Sequence, residues 1–226
     1  MMVPSAHTEA KDTEMPQPLR KPCHLTFSGL RSRPRHAQVI GQIVAISGRI
    51  ESRLASLLAI MTGGLTHVTV PMFLAVRSTD AQRAMLSAAA EQVLQADSLQ
   101  RFTELMAEWK QRYGERNKLV HNIWGHSDDH PDLAIRIASE DFSEVWKATS
   151  AGGDILALQQ NIGIINELWR SCEGWRVKDL ESVEKRLDDY EVRIAKFWQE
   201  LFTQQFSIIV PTTTGLVGLL DEPKTP

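Results

Sequence analysis

The stretch of residues 37–61, AQVIGQIVAISGRIESRLASLLAIM, decides the fold class of this chain. Its large apolar residues recur at steps of three and four, which places them on one face of an α-helix that packs against a core. The pair Gly63-Gly64 is expected to end this helix, because glycine is the residue that most often follows a helix terminus. The apolar face consists of Ile43, Ile46, Ile50, Leu54, Leu57, Leu58 and Met61.

Three other segments carry similar helical signals. A second helix is predicted over residues 81–94, after an N-cap at residues 78–80, and a third begins after a cap at Asp97 or Ser98 and continues past Tyr113. The last long helix is predicted over residues 178–205, with Phe202 on its apolar face. Residues 68–73 are β-branched and include Pro71, so they are predicted to form a connector.

The pattern changes after Gly125. Residues 126–132, HSDDHPD, are typical of a turn, and residues 133–137 alternate as a strand does. Residues 155–168 would fit a helix interrupted at Gly163. Because each amphipathic helix must cover the apolar face of a neighbour, the sequence predicts a mainly α protein. We expect an up-and-down helical bundle with a short β excursion after the third helix.

Composition bounds the classes of protein that the chain can belong to. Its 226 residues, 23% charged with a net charge of −3, are typical of a globular protein and exclude one that coats nucleic acid through overall charge. Cys23 and Cys172 have no metal-ligand spacing, which predicts reduced thiols in the cytoplasm. No signal peptide or membrane-spanning stretch is predicted. We expect a mobile arm over residues 1–34, a helical domain over residues 35–206, and a tail over residues 207–226 that is apolar enough to dock somewhere.

The third helix ends in a polar group of residues. Asn117 and His121, four residues apart, share one helix face, while Arg116 lies about 140° around the helix from His121 at roughly 100° per residue. The arginine side chain is long enough to reach back. An imidazole can transfer a proton near neutral pH, and a guanidinium can hold phosphate oxygens. The three residue types therefore suit chemistry on a phosphodiester.

These residues carry a family resemblance. Arg116-Asn117-Lys118-Leu119-Val120-His121 resembles the R-N-x-x-x-H form of the R-x4-6-H motif of HEPN domains, an all-helical fold found in many prokaryotic ribonucleases, toxins and defence effectors. The flanking Ile123-Trp124-Gly125 resembles bacterial members that read RNxxVHxxWG. Glu51, on an earlier helix, stands where the family has an acidic residue. The resemblance covers residues 37–205, and its specific part is the motif with its flank.

The resemblance implies an endoribonuclease that needs no metal or cofactor and forms its site where two protomers juxtapose their motif helices. His121 would then act as general base or acid at the ribose 2′-hydroxyl, Arg116 would bind the scissile phosphate, and Asn117 would orient either group. The expected product is a 2′,3′-cyclic phosphate. The family association also implies a homodimer, a role in stress response or phage defence, and an antitoxin or other regulatory partner.

Positive charge surrounds the motif. Residues 110–118 carry a net charge of +3 within an acidic chain, which is the local field that an RNA phosphate site needs. Lys110, Arg112 and Lys118 are therefore predicted to contact RNA. Trp124, just beyond the motif, is a candidate stacking platform for a base, whereas Trp109 is expected in the core.

Other interpretations remain open. The motif residues could form an ordinary polar helix end, with Arg116 paired to a carboxylate, and Glu51 could form a simple salt bridge. A catalytically silent helical dimer that binds RNA, a nucleotide or a protein partner is the main alternative. The residues 126–130, HSDDH, contain possible metal ligands but are more typical of a hydrated turn, so no metal is predicted. The basic residues 31–36 could contact phosphates or form a solvated linker.

Overall fold

The computed structural model describes residues 16–19, 23, 25, 26, 29–150 and 168–207. Residues 1–15 of the predicted arm, most of the interrupted helix suggested over residues 155–168, and the predicted tail after Ser207 lie outside this part of the chain.

The described chain is mainly helical, with a small antiparallel sheet, as the sequence predicts. The helices are α1 (Pro34–Met61), α2 (Thr66–Ala75), α3 (Thr79–Val93), α4 (Ala96–Val120), α5 (Ser139–Ser150), a short 3-10 helix (Leu168–Ser171) and α6 (Val177–Ser207). The strands are β1 (Gln17–Pro18), β2 (Ile123–Ser127), β3 (His130–Ile137) and β4 (Glu173–Trp175). None of the helices in the described ranges is long and apolar enough to cross a membrane.

The prediction of a connector over residues 68–73 is wrong, because these residues belong to α2. Pro71 removes one backbone donor from the helix, but the side chain of Phe73 is completely buried and anchors this segment. The side chain of Gln82 donates hydrogen bonds to the carbonyls of Phe73 and Val76, at 3.3 and 2.9 Å, and so holds the end of the helix. Packing of one aromatic residue therefore outweighs the local preference against a helix.

Two details at helix ends bear on the sequence predictions. Gly63 follows α1 with a φ of +59°, as expected for a residue that ends a helix. Ser78 caps α3 by accepting a hydrogen bond from the amide of Ala81.

The chain forms two compact units. The first comprises the described residues within the ranges 1–47 and 111–188 and contains the sheet, in the order β1-β4-β3-β2. Its apolar cluster contains Leu19, Ile135, Ile137 and Cys172. Burial raises the pKa of Cys172 to about 12, so this thiol stays protonated at neutral pH.

Part of the predicted N-terminal arm lies on this sheet. Gln17 pairs with Gly174 and Pro18 with Glu173, and the side chain of Leu19 is buried. Further along, Thr26 forms an isolated bridge with His126 of β2. Although residues 1–34 are polar and rich in proline, Gln17–Pro18 and Thr26 therefore pair with the folded sheet.

The second unit comprises residues 48–110 and 189–207 of the described chain. Its core contains Trp109 stacked on Tyr190, with ring centroids 6.3 Å apart, as expected for a tryptophan on the apolar stripe of α4. The hydroxyl of Tyr190 donates a hydrogen bond to the carbonyl of Leu105 at 2.9 Å. Phe202, predicted on the buried face of α6, is instead 40% exposed.

His36, near the start of α1, provides a pH-dependent contribution to stability. Its ring is buried, and Nε2 donates a hydrogen bond of 3.0 Å to the carbonyl of Trp175. Burial lowers the pKa of His36, and the charge of Arg33 lowers it further, whereas that hydrogen bond and the charges of Asp132 and Asp179 raise it. The net direction is downward, so the folded protein holds His36 in the neutral form.

A His36→Gln variant should lose less stability on acidification than the wild type does. Because the pKa of His36 is lower in the folded state than the value near 6.5 in an unfolded chain, wild-type stability is complete above pH 6.5 and declines as pH falls from there toward the folded-state pKa. Urea denaturation at pH 7.5 and pH 5 measures this difference. The exposed His67, changed to glutamine, is the control; equal acid sensitivity of the wild type and the His36→Gln variant would contradict the prediction.

Candidate functional site

The side chains of Arg116, Asn117 and His121 meet at the end of α4, within the first unit. Nη1 of Arg116 donates a hydrogen bond of 3.0 Å to Oδ1 of Asn117, and the same nitrogen lies 3.4 Å from Nε2 of His121. A guanidinium has only donors, so in a hydrogen bond between these two groups Nε2 is the acceptor. The predicted reach of Arg116 back to His121 is therefore present.

The two principal side chains differ in exposure. His121 is exposed, whereas Arg116 is half-buried and its guanidinium carbon lies 5.8 Å from the ring centroid of Tyr113. Nε of Arg116 is buried and has no hydrogen-bond partner among the described residues. The imidazole is thus open to a ligand, while the guanidinium is held between an aromatic ring and an amide.

Side chains from beyond the helix cap the last carbonyls of α4, which no longer have partners within the helix. The carbonyl of Lys118 accepts hydrogen bonds from Asn122 Nδ2 at 2.6 Å and from Arg136 Nη1 at 3.3 Å. The hydroxyl of Ser139 donates a hydrogen bond of 2.6 Å to the carbonyl of His121. These bonds fix the backbone on both sides of the imidazole.

Arg136 also connects this helix end to the sheet. It is 8% exposed, and its Nη2 and Nε lie 2.5 and 3.1 Å from Oε2 of Glu173 on β4. The indole nitrogen of Trp175 donates a hydrogen bond of 3.3 Å to the same oxygen. Neither Arg136 nor Ser139 was predicted as a site residue, since both act on backbone atoms whose position depends on how β2 and β3 pair.

An Arg136→Ala variant should be less stable by about 2–3 kcal/mol. Removing one member of a buried ion pair costs about 3–5 kcal/mol, and the value is lowered here because Glu173 is about a third exposed and can regain water. Urea denaturation measures the change. The control is Arg35→Ala, which breaks a 2.7 Å pair with Glu181 whose members are 55% and 43% exposed, and it should cost below about 1 kcal/mol. Equal losses in the two variants would show that the connection to Glu173 is not stabilising.

The predicted RNA-binding cations have different surroundings. Lys118 is exposed beside the motif. Arg112 instead pairs with Glu115 at 3.3 Å, and Arg186 approaches the same carboxylate at 3.6 Å. Lys110 is exposed but belongs to the second unit. Lys118 thus lies in the unit that holds the motif and has no ion pair among the described residues.

Trp124 has a structural environment that does not fit the predicted stacking platform. Its side chain is buried, its Nε1 donates a hydrogen bond of 2.8 Å to the carbonyl of Leu119, and its ring packs edge-on against Trp175 at 6.3 Å. A base would need an accessible ring face. Trp124 instead joins the end of α4 to β4, so the prediction of a stacking platform is wrong.

Glu51 lies half-buried on α1 in the second unit, whereas the motif lies in the first. Its supporting role stays a prediction.

The possible metal ligands form a hairpin turn, with Asp128 and Asp129 between β2 and β3. The amide of Asp129 donates a hydrogen bond of 3.2 Å to the hydroxyl of Ser127, which is ordinary turn chemistry. Within the described ranges, no group of three histidine, cysteine, aspartate or glutamate side chains is arranged to hold a metal ion.

Two arginines of the basic stretch, residues 31–36, have partners within the protein. Arg33 donates hydrogen bonds to the carbonyls of Leu133, at 3.1 Å, and Ser127, at 3.2 Å. Arg35 pairs with Glu181. Both side chains thus have partners in the first unit, and contact of this stretch with phosphates stays a prediction.

Comparison with known proteins identifies no relative: no family model, no curated protein and no solved structure matches the chain. The function of the protein is therefore inferred from the geometry of the motif and from the resemblance of its residues.

Proposed function

We propose that the protein is a metal-independent endoribonuclease of the HEPN type, with Arg116, Asn117 and His121 as its chemical residues. The observation that supports the proposal is the 3.4 Å approach of Arg116 Nη1 to the Nε2 atom of an exposed imidazole. A phosphate oxygen that accepts from this guanidinium would lie beside the atom that can take a proton. Proton acceptor and anion-binding group are thus close enough to act on one phosphodiester.

The proposed reaction begins when a scissile phosphate takes the place of His121 as acceptor for Arg116. Nε2 of His121, relieved of that contact, accepts the proton of the ribose 2′-hydroxyl. The 2′-oxygen then forms a bond to phosphorus, the bond from phosphorus to the 5′-oxygen breaks, and the leaving oxygen takes up a proton. The products are a 2′,3′-cyclic phosphate and a 5′-hydroxyl, and DNA is not cut because it lacks the attacking group.

The proton for the leaving oxygen would come from His121 of a second copy. Two imidazoles can act as the general acid and the general base on opposite sides of a phosphodiester. The HEPN resemblance implies that two motif helices, each with one such imidazole, are juxtaposed. The functional unit is then a homodimer with a composite site that acts on cytoplasmic RNA in stress response or phage defence. Mixing the wild-type chain with an excess of the His121→Ala chain tests this. Every mixed dimer would lack one of the two imidazoles, so cleavage should fall well below that of the same amount of wild-type chain alone, whereas unchanged cleavage would show that each copy acts by itself.

The deciding experiment incubates the purified full chain with an RNA of mixed single- and double-stranded regions, with and without EDTA. We expect cleavage that resists the chelator, 2′,3′-cyclic phosphate ends, and no cleavage of the same RNA carrying 2′-O-methyl groups. Loss of cleavage on chelation would indicate a metal hydrolase. Cleavage of the 2′-O-methyl RNA would exclude the proposed attack by the 2′-oxygen.

A catalytically silent binding protein is the second candidate. The favouring observation is that Arg116 already has partners within the chain, namely Asn117 and the ring of Tyr113. In that case the wild type and the His121→Ala variant would bind the same RNA with equal affinity, and neither would cut it.

A further inference from the structure

An apolar groove lies in the second unit, where α1 ends. It has a volume of about 420 Å³, and the residues that define it come from the end of α1, the following turn and the end of α6. Trp198 and Phe202 form one wall, with their rings stacked at a centroid distance of 5.2 Å. Ala59, Ile60 and Gly63 also line the groove. The groove shares no residue with the motif.

Exposed apolar side chains continue from the groove along α2. Leu65 is 65% exposed, Val68 44% and Met72 62%. Their spacing of three and four residues places them on one face of the helix. Leu65 directly precedes Thr66, which itself lines the groove. Groove and helix face thus form one apolar surface, which we call the α2 surface.

The chain that could cover this surface begins at its edge. Gln205, another lining residue, donates a hydrogen bond of 3.0 Å from Nε2 to the carbonyl of Ile60. The residues after Ser207 begin Ile208-Ile209-Val210-Pro211 and continue to a second apolar run, Leu216-Val217-Gly218-Leu219-Leu220. At about 3.3–3.6 Å per extended residue, Ile208 starts within roughly 11 Å of Gln205.

Chain length permits the second run to reach the rest of the surface. The five residues between Val210 and Leu216 span up to about 20 Å when extended, and α2, with its ten residues, is about 15 Å long. A covalently attached segment meets its binding surface at an effective concentration in the millimolar range. Even weak apolar contacts are therefore sufficient for docking within one chain.

We propose that the segment from Ile208 to Leu220 binds the α2 surface of its own chain, with Ile208–Val210 in the groove and Leu216–Leu220 along α2. The segment supplies branched apolar side chains without a charge before Asp221, which matches a surface of aromatic and aliphatic side chains. This intramolecular contact is independent of the proposed RNA cleavage.

The test compares the full chain with a chain ending at Ser207. Amide hydrogen exchange in α2 should be at least tenfold faster in the shortened chain, while exchange in β2 and β3 stays the same. A synthetic peptide of residues 208–226, added to the shortened chain, should restore the slow exchange. A peptide carrying Ile209→Asp and Leu219→Asp should not restore it, whereas the control peptide with Thr213→Asp and Thr225→Asp, which adds the same charge at polar positions, should.

Two results would overturn the proposal. One is equal exchange of α2 in both chains together with no binding of the peptide. The other is slow exchange that survives removal of the segment and increases in extent with protein concentration, because a second copy of the chain would then cover the α2 surface. Sedimentation of both chains across the same concentration range identifies that case.

Discussion

Replacing His121 with alanine should slow RNA cleavage about 1,000-fold at saturating RNA. Proton transfer by a positioned side chain contributes about 10²–10⁴ to a rate, and Nε2 of His121 is the proposed acceptor for the 2′-hydroxyl proton. Because the imidazole is exposed, its removal should change the free energy of unfolding by less than about 0.5 kcal/mol. Single-turnover cleavage of a labelled RNA measures the rate, and urea denaturation measures the stability.

The matched control is His67→Ala, which removes another exposed imidazole, from α2. It should cleave RNA at the wild-type rate. Undiminished cleavage by His121→Ala would show that His121 is not the general base, and the proposed mechanism would then be wrong. A slow rate accompanied by lowered stability would point to a misfolded variant instead, and the urea curve distinguishes these cases.

Replacing Arg116 with alanine should slow cleavage about 100- to 1,000-fold, mainly in the chemical step. Removing one donor that stabilises developing negative charge typically costs a factor of this size. Arg116→Lys should recover little of the rate, because an ammonium group lacks the planar fork that holds Asn117 and a phosphate together. Single-turnover rates and RNA affinity, measured separately, show whether the loss lies in chemistry or in binding.

The control for this charge change is Arg77→Ala, an exposed arginine in the connection between α2 and α3. Its cleavage rate should match the wild type, and its affinity for RNA should be within a factor of two. A loss in Arg116→Ala confined to affinity, with single-turnover chemistry intact at saturating RNA, would assign Arg116 to binding alone.

The helices could be predicted from sequence because their signals are local. The apolar periodicity of residues 37–61 and the cap at Ser78 each lie within one segment, and α1 and α3 form where expected. The connector predicted from Pro71 is instead part of α2. The burial of Phe73, which stabilises this helix, is a tertiary contact that no local pattern reveals. The pairing of Gln17–Pro18 with β4 joins residues about 155 positions apart in the sequence, so local patterns do not predict it either.

The candidate site was predictable only in part, for a similar reason. Helix geometry alone predicts that Asn117 and His121 share a face, and the structure brings Arg116 to both. The roles of Arg136 and Ser139 depend on hydrogen bonds from β3 and the start of α5 to carbonyls of the motif helix. Trp124 was placed wrongly because a tryptophan beside a motif has the same sequence signature whether it faces solvent or a neighbouring strand.

The two-residue strand β1 has a protective effect on the sheet. Gln17–Pro18 occupies the side of β4 that faces away from β3, and proline offers no amide hydrogen to a further strand. A chain cut just before Leu19 would leave the amides and carbonyls of β4 open to pairing with another molecule. Light scattering should show that the shortened chain aggregates at a concentration at which the full chain does not. A clear solution of the shortened chain at that concentration would show that β1 is not needed to prevent the pairing of β4 with another molecule.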